Sequence, residues 1–127
     1  MQDNHLFEYA VIRVVPRVER EEFMNVGVVV YCGRQKFLKA RIDYNEVRLT
    51  AFSKEAEQTG IMENLRAFER ICAGGKESGP IGLLDNASRF RWLTATRSTV
   101  IQTSKVHPGF CRSLDEMLER LYAEQVL

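Results

Sequence analysis

Five side chains in the last third of the chain carry most of the chemistry it could do. They are Arg97, Ser98, Thr99, Gln102 and His107, within ATRSTVIQTSKVHPGF at 95–110. A guanidinium offers a planar fork to a carboxylate or phosphate, and neighbouring hydroxyls and backbone amides can complete an anion cradle. An imidazole that titrates near neutrality can act as general acid or base beside Ser98 or Thr99. These five residues are the ligand-binding candidates. A structural account competes at each position: Arg97 pairs with an acidic neighbour at a strand start, Ser98 and Thr99 are edge-strand residues, and His107 holds a VHPG turn that Pro108 and Gly109 shape. A straight strand would also hold Arg97 and His107 roughly 20 Å apart. No residue is assigned as catalytic, and the leading expectation is that the chain is not an enzyme.

Arg13 lies in an apolar run on the parity of Tyr9, Val11 and Val15. A buried guanidinium needs a partner, and the EREE run supplies one, so Arg13 and Glu22 are expected as an internal ion pair. Its rival is an anion-binding group of Arg13, Arg17 and Arg97. Asn25 suits a bond to nearby backbone, and Gly27 a bulge or the close approach of another chain. EREE reads as a solvated run rather than a ligand set, so no metal is expected. GGKESG at 74–79 lacks the spacing and preceding strand of a phosphate-binding loop, and no cofactor is implied. Cys32, Cys72 and Cys111 are widely spaced with no CxxC pair, which points to free thiols.

The elements that must position these residues follow from pattern. LFEYAVIRVV and MNVGVVVYC read as strands, KFLKARI as a third after a GRQ turn, and Ser98 to Ser104 as a fourth, with HPG turning the chain. RVEREEF is a solvated connection or one helical turn. EVRLTAF fits either a strand or a helix. Ile61, Leu65, Phe68 and Cys72 make a helical stripe, which the Gly-rich stretch 74–82 ends in a loop. Ser53 offers a cap before it, and Gly60 divides the stretch. A short helix from Asp85 to Leu93, capped by Asp85 or Asn86, faces Phe90, Leu93 and Trp92 inward. Ser113 and Glu116 form a capping box for a terminal helix with Leu114, Met117, Leu118, Leu121 and Tyr122 on its apolar face. The expected fold is α+β, one domain over 1–127: a mainly antiparallel sheet of four to five strands, helices largely on one face, and a C-terminal helix.

The 127 residues are 45% hydrophobic and 28% charged, an ordinary globular mix. A formal charge of +1 gives no general attraction to polyanions, so nucleic acid is a minor expectation resting on Arg89, Arg91 and Arg97. With no signal-like start and no long apolar run, the expected location is the cytoplasm, away from membranes. A sheet edge left free would allow a homodimer.

Two blocks carry a resemblance: YAVIRVVPRVEREEFMNVGVVVY, notably Glu22, Phe23, Asn25 and Gly27, and RFRWLTATRSTVIQTSKVHPG, notably Arg97, Ser98, Thr99, Gln102, His107 and Gly109. Together they make the chain resemble a bacterial family known as domain of unknown function 3037. It departs from the family pattern at Cys111, where a small polar residue is usual. The resemblance implies no activity, cofactor or catalytic residue. Genes of that family often neighbour one for a HipA-like protein kinase, which implies a working partnership and a physical complex as one form of it. The function expected is a non-enzymatic binding or regulatory module acting with such a kinase. The alternative is a small enzyme or phosphate-ligand binder built on the Arg/Ser/Thr/His cluster.

Overall fold

A computed structural model describes residues 4–16, 22–52, 60–95 and 99–127. Strands β1 (His5–Val14), β2 (Met24–Cys32) and β3 (Phe37–Ile42) form an antiparallel meander with β1 at the centre of the whole sheet. On its other side β1 pairs with two short strands laid end to end, β4 (Ile101–Thr103) along its C-terminal half and β5 (His107–Cys111) along its N-terminal half. All five strands are antiparallel, as the α+β expectation requires.

The first two strands read as unbroken apolar runs because both faces of the sheet are covered. On one face Ala10, Ile12, Val14, Val26 and Val29 pack under helices α1 (Glu46–Phe52), α2 (Ile61–Ala73) and α4 (Asn86–Thr94). On the other, Phe7, Val11, Val28, Val30 and Cys32 pack under α5 (Leu114–Gln125) alone. Helices thus lie largely on one face, with the terminal helix covering the opposite one. A bulge at Val26 shifts the β1–β2 register between Ile12 and Arg13. Beside it Gly27 is needed for close approach, since a Cβ there would stand 2.6 Å from the Arg41 carbonyl oxygen of β3.

Local chemistry decides the segment that pattern left open. Asn45 Oδ1 accepts from Arg48 N–H at 3.1 Å, capping the first turn of α1 and settling EVRLTAF as helix with Leu49 buried. The stripe Ile61, Leu65, Phe68 and Cys72 is buried along α2 as its spacing predicts. Gly60, in the left-handed region at φ 68°, stands outside that helix at its start, and residues 53–59 before it are not among the described ones. The Gly-rich stretch expected as loop holds a 3-10 turn at Lys76–Ser78 and a one-turn helix α3 (Gly79–Gly82), because Ser78 Oγ donates to the Arg70 carbonyl at 2.6 Å and folds the chain back on α2. Asp85 caps α4 through Ser88 N–H at 2.7 Å, and Ser113 caps α5 through Glu116 N–H at 3.3 Å.

Helix α5 is fixed to the sheet by charge as well as by its apolar face. Lys39 pairs with Asp115 at 3.0 Å and Arg41 with Glu119 at 3.2 Å, while the Arg41 guanidinium lies 4.4 Å from the centre of the Tyr122 ring. Asn25 does bond backbone, but across 100 residues of sequence: its Nδ2 donates to the Gln125 carbonyl at 3.0 Å and satisfies one open carbonyl of the last turn. Arg48 joins α1 to the same end by donating to the Val126 carbonyl at 2.9 Å. Among the described residues no helix is long and apolar enough to cross a membrane.

The readings of RVEREEF up to Glu21, of Ser53 and of Arg17 lie outside the described residues.

Candidate functional site

Among the described residues of the polar block 95–110, Thr99 and Gln102 do not share a site with His107, and the reason is a single buried serine. Between Thr103, opposite Ile12, and His107, opposite Tyr9, three residues of the outer chain face two of β1. That extra residue is a bulge centred on Ser104. The buried Ser104 accepts from Val11 N–H through Oγ at 2.9 Å, returns its own N–H to the Val11 carbonyl at 2.8 Å, and donates Oγ–H to the Lys105 carbonyl at 2.9 Å. The side chain replaces a ladder carbonyl that the bulge carries away, so Val11 N–H keeps an acceptor.

Upstream of the bulge the strand flanks a cleft of about 240 Å³ between α2, α4 and β4. Phe68 and Ile71 of α2, Trp92 and Leu93 of α4, and Val100 and Ile101 supply apolar walls. Thr99 and Gln102 lie on its rim and are tied to each other: the Gln102 amide donates to the Thr99 carbonyl at 2.9 Å, and the Thr99 hydroxyl donates to the Ile101 carbonyl at 2.7 Å. Arg97 and Ser98 fall outside the described residues, between Ala95 and Thr99, both of which line the cleft. No acid, base or thiol is among the described lining residues.

His107 is elsewhere. The expected HPG turn is instead the start of β5, and His107 is exposed and packed at a tilt of 37° against Tyr9 with ring centres 5.4 Å apart. Tyr9 packs against the core beneath α5, on the face of the sheet away from the cleft. Pro108 is tolerated because β5 is an edge strand. Gly109 leaves room for the Phe7 ring, whose Cζ would meet an added Cβ at 2.6 Å. The fourth strand is likewise shorter than expected, Ile101–Thr103, and its Ser98 end is outside the described residues. Arg13, expected to meet Glu22, has its guanidinium 4.2 Å over the ring of the next residue, Phe23, and its buried Nε has no hydrogen-bond partner.

Two arginines grouped as a nucleic-acid candidate are occupied within the fold. Arg89 is 8% exposed and closes the C-terminal end of α2: Nη1 donates to the carbonyls of Ile71 at 2.9 Å and Cys72 at 2.7 Å, Nε to that of Leu84 at 3.0 Å, and Nη2 to Asn86 Oδ1. A cation there also opposes the negative end of the helix. Its signal in the sequence is position, since Asn86, Arg89, Phe90 and Leu93 share one helical stripe. Arg91 reaches Glu8 of β1 with both Nη atoms, at 3.1 and 3.0 Å.

The thiols are structural. All three cysteines are free and buried. Burial pushes the Cys72 thiol up to about 12 against the opposing pull of Arg89, and burial also raises Cys111, with Cys32 adding to the rise. Among the described residues no three His, Cys, Asp or Glu side chains converge to hold a metal ion.

A protein-family model described as "Protein of unknown function (DUF3037)" matches residues 9–126. No curated protein and no solved structure matches the chain.

Proposed function

The chain belongs to that DUF3037 family, and from this premise we propose that it is a non-enzymatic binding and regulatory module acting in the cytoplasm with a HipA-like protein kinase. The kinase enters through the gene neighbourhood that the family resemblance implies. One observation carries the choice of a binding module: the concave site at Thr99 and Gln102 is walled by Phe68, Ile71, Trp92, Leu93 and Ile101, while His107 stands on the opposite face against Tyr9. General acid–base chemistry needs hydrogen-bond reach between the groups that share it. At about 240 Å³ the cleft is also below the range of pockets that enclose whole drug-sized ligands, and matches instead one or two apolar side chains of a partner.

The experiment is co-expression with the neighbouring kinase. A co-eluting complex is expected, with a shift in the emission of Trp92, the chain's single tryptophan, when purified kinase is titrated in. Asn64→Arg, at the exposed mouth of the cleft, should block both. Separate elution together with unchanged kinase phosphorylation would refute the partnership.

A further inference from the structure

The sheet is uncovered at one end. Leu6 of β1 and Phe110 of β5 stand directly opposite each other and are 57% and 68% exposed. They occupy the face that α2 and α4 cover farther along, since Leu6 alternates with Phe7, which is buried under α5. Beside them Tyr31, Val106 and Pro108 floor a depression of about 320 Å³ whose border is Glu8, held by Arg91. Paired large apolar groups on a sheet face, rimmed by charge, mark an interaction surface.

A partner cannot reach this end by extending the sheet. Val11 turns both its N–H and its carbonyl toward Ser104, so by strand alternation Phe7 and Tyr9 also face the outer chain, and Pro108 and Phe110 point their backbone outward. Pro108 has no N–H to offer there. On β4 the outward Ile101 carbonyl already accepts the Thr99 hydroxyl, and the Ser104 bulge interrupts the edge between the two strands. These are three of the devices by which edge strands avoid pairing.

We propose that this surface binds a second copy of the chain face to face across a two-fold axis. The argument is complementarity of the patch to itself. Leu6 and Phe110 are flanked by a carboxylate and a guanidinium, Glu8 and Arg91, with side chains 32% and 58% exposed. In a two-fold interface each copy presents both, so the Glu8 of one lies toward the partner's Arg91 while apolar meets apolar. The formal charge of +1 leaves little repulsion between copies. With two large apolar side chains per copy at its centre the contact is that of a weak complex, so the dimer is concentration-dependent.

Sedimentation equilibrium of the full chain tests this. The wild type should pass from monomer to dimer with concentration, and Leu6→Glu or Phe110→Glu should weaken association by more than about tenfold. Val47→Glu, exposed at 80% on α1, should not. Glu8→Arg and Arg91→Glu should each be monomeric alone and dimerise when mixed, a result that loss of the internal ion pair cannot produce and that stands even where the Leu6 variant fails to fold. A wild type monomeric at every concentration overturns the proposal, as does a dimer indifferent to the Leu6 and Phe110 changes, or charge variants that do not complement. Binding of the kinase at this patch by a monomeric chain would also overturn it.

Discussion

Arg89 and Ser104 differ from Gln102 and His107 in how deeply their polar atoms lie. The first two are buried, at 8% and 9% exposure, and every described bond they make but one goes to a main-chain group. Arg89 closes a helix end and Ser104 mends a strand at its bulge. The second two lie at the surface, one on a cleft rim and one on an edge strand. The difference teaches that a polar residue in a small α+β domain is read by which backbone groups lack partners around it. Residue type alone puts all four in one class.

Substitutions at the buried pair should break that contrast most sharply. Arg89→Met leaves the carbonyls of Ile71, Cys72 and Leu84 without their donor and should cost about 3 kcal/mol in urea unfolding. Arg91→Met, two residues along the same helix, removes a half-exposed ion pair and should cost less than about 1 kcal/mol. If the two cost the same, Arg89 does not close the helix. Ser104→Ala leaves Val11 N–H buried with no acceptor, for a loss of about 1–3 kcal/mol, whereas His107→Ala should stay within about 0.5 kcal/mol of wild type.

The thiols sharpen the same distinction through pH. With its folded-state value raised to about 12 from 9.0, Cys72 contributes stability that is complete below the unfolded value and is lost as pH rises from there toward the folded one. Alkylation at neutral pH should therefore leave the native chain unlabelled and modify three cysteines once it unfolds. Prompt labelling of native Cys72 would show the α2 end to be open. The smallest effect belongs to Asp85, whose carboxylate is held below its ordinary range by the hydrogen bond from Ser88. Its contribution is present above the unfolded carboxylate value and is lost as pH falls through the lower folded one. Asp85→Asn keeps a capping oxygen, so it should flatten that acid limb of the stability curve without removing the helix.

Much of the fold was legible in the sequence because burial on both sheet faces writes itself as apolar runs and helical stripes. β1 to β3, the Ile61–Leu65–Phe68–Cys72 stripe, the Asp85 cap and the Ser113 capping box all follow from local pattern. Of the two strands beyond β1, β4 was legible within Ser98 to Ser104, although shorter than expected, and β5 was not. His107-Pro108-Gly109 has turn composition, yet an edge strand tolerates a residue without N–H, and Phe7 requires a residue without Cβ. The bulge at Ser104 depends on a partner strand more than 90 residues away, so no local pattern announces it. Of the candidate site, Thr99 and Gln102 proved to share a cleft rim, and His107 was drawn away by the register of β5 on β1. The walls of that cleft were hidden because Phe68, Leu93 and Ile101 read as ordinary core positions.

The most direct test is calorimetric titration of the proposed partner, a HipA-like kinase, into wild type, Trp92→Ala, Asn64→Arg and His107→Ala chains. Loss of affinity by more than about tenfold in the two cleft variants, with His107→Ala matching wild type, is the result predicted for a binding module that uses the cleft. Binding abolished by His107→Ala and untouched by the cleft variants would contradict it.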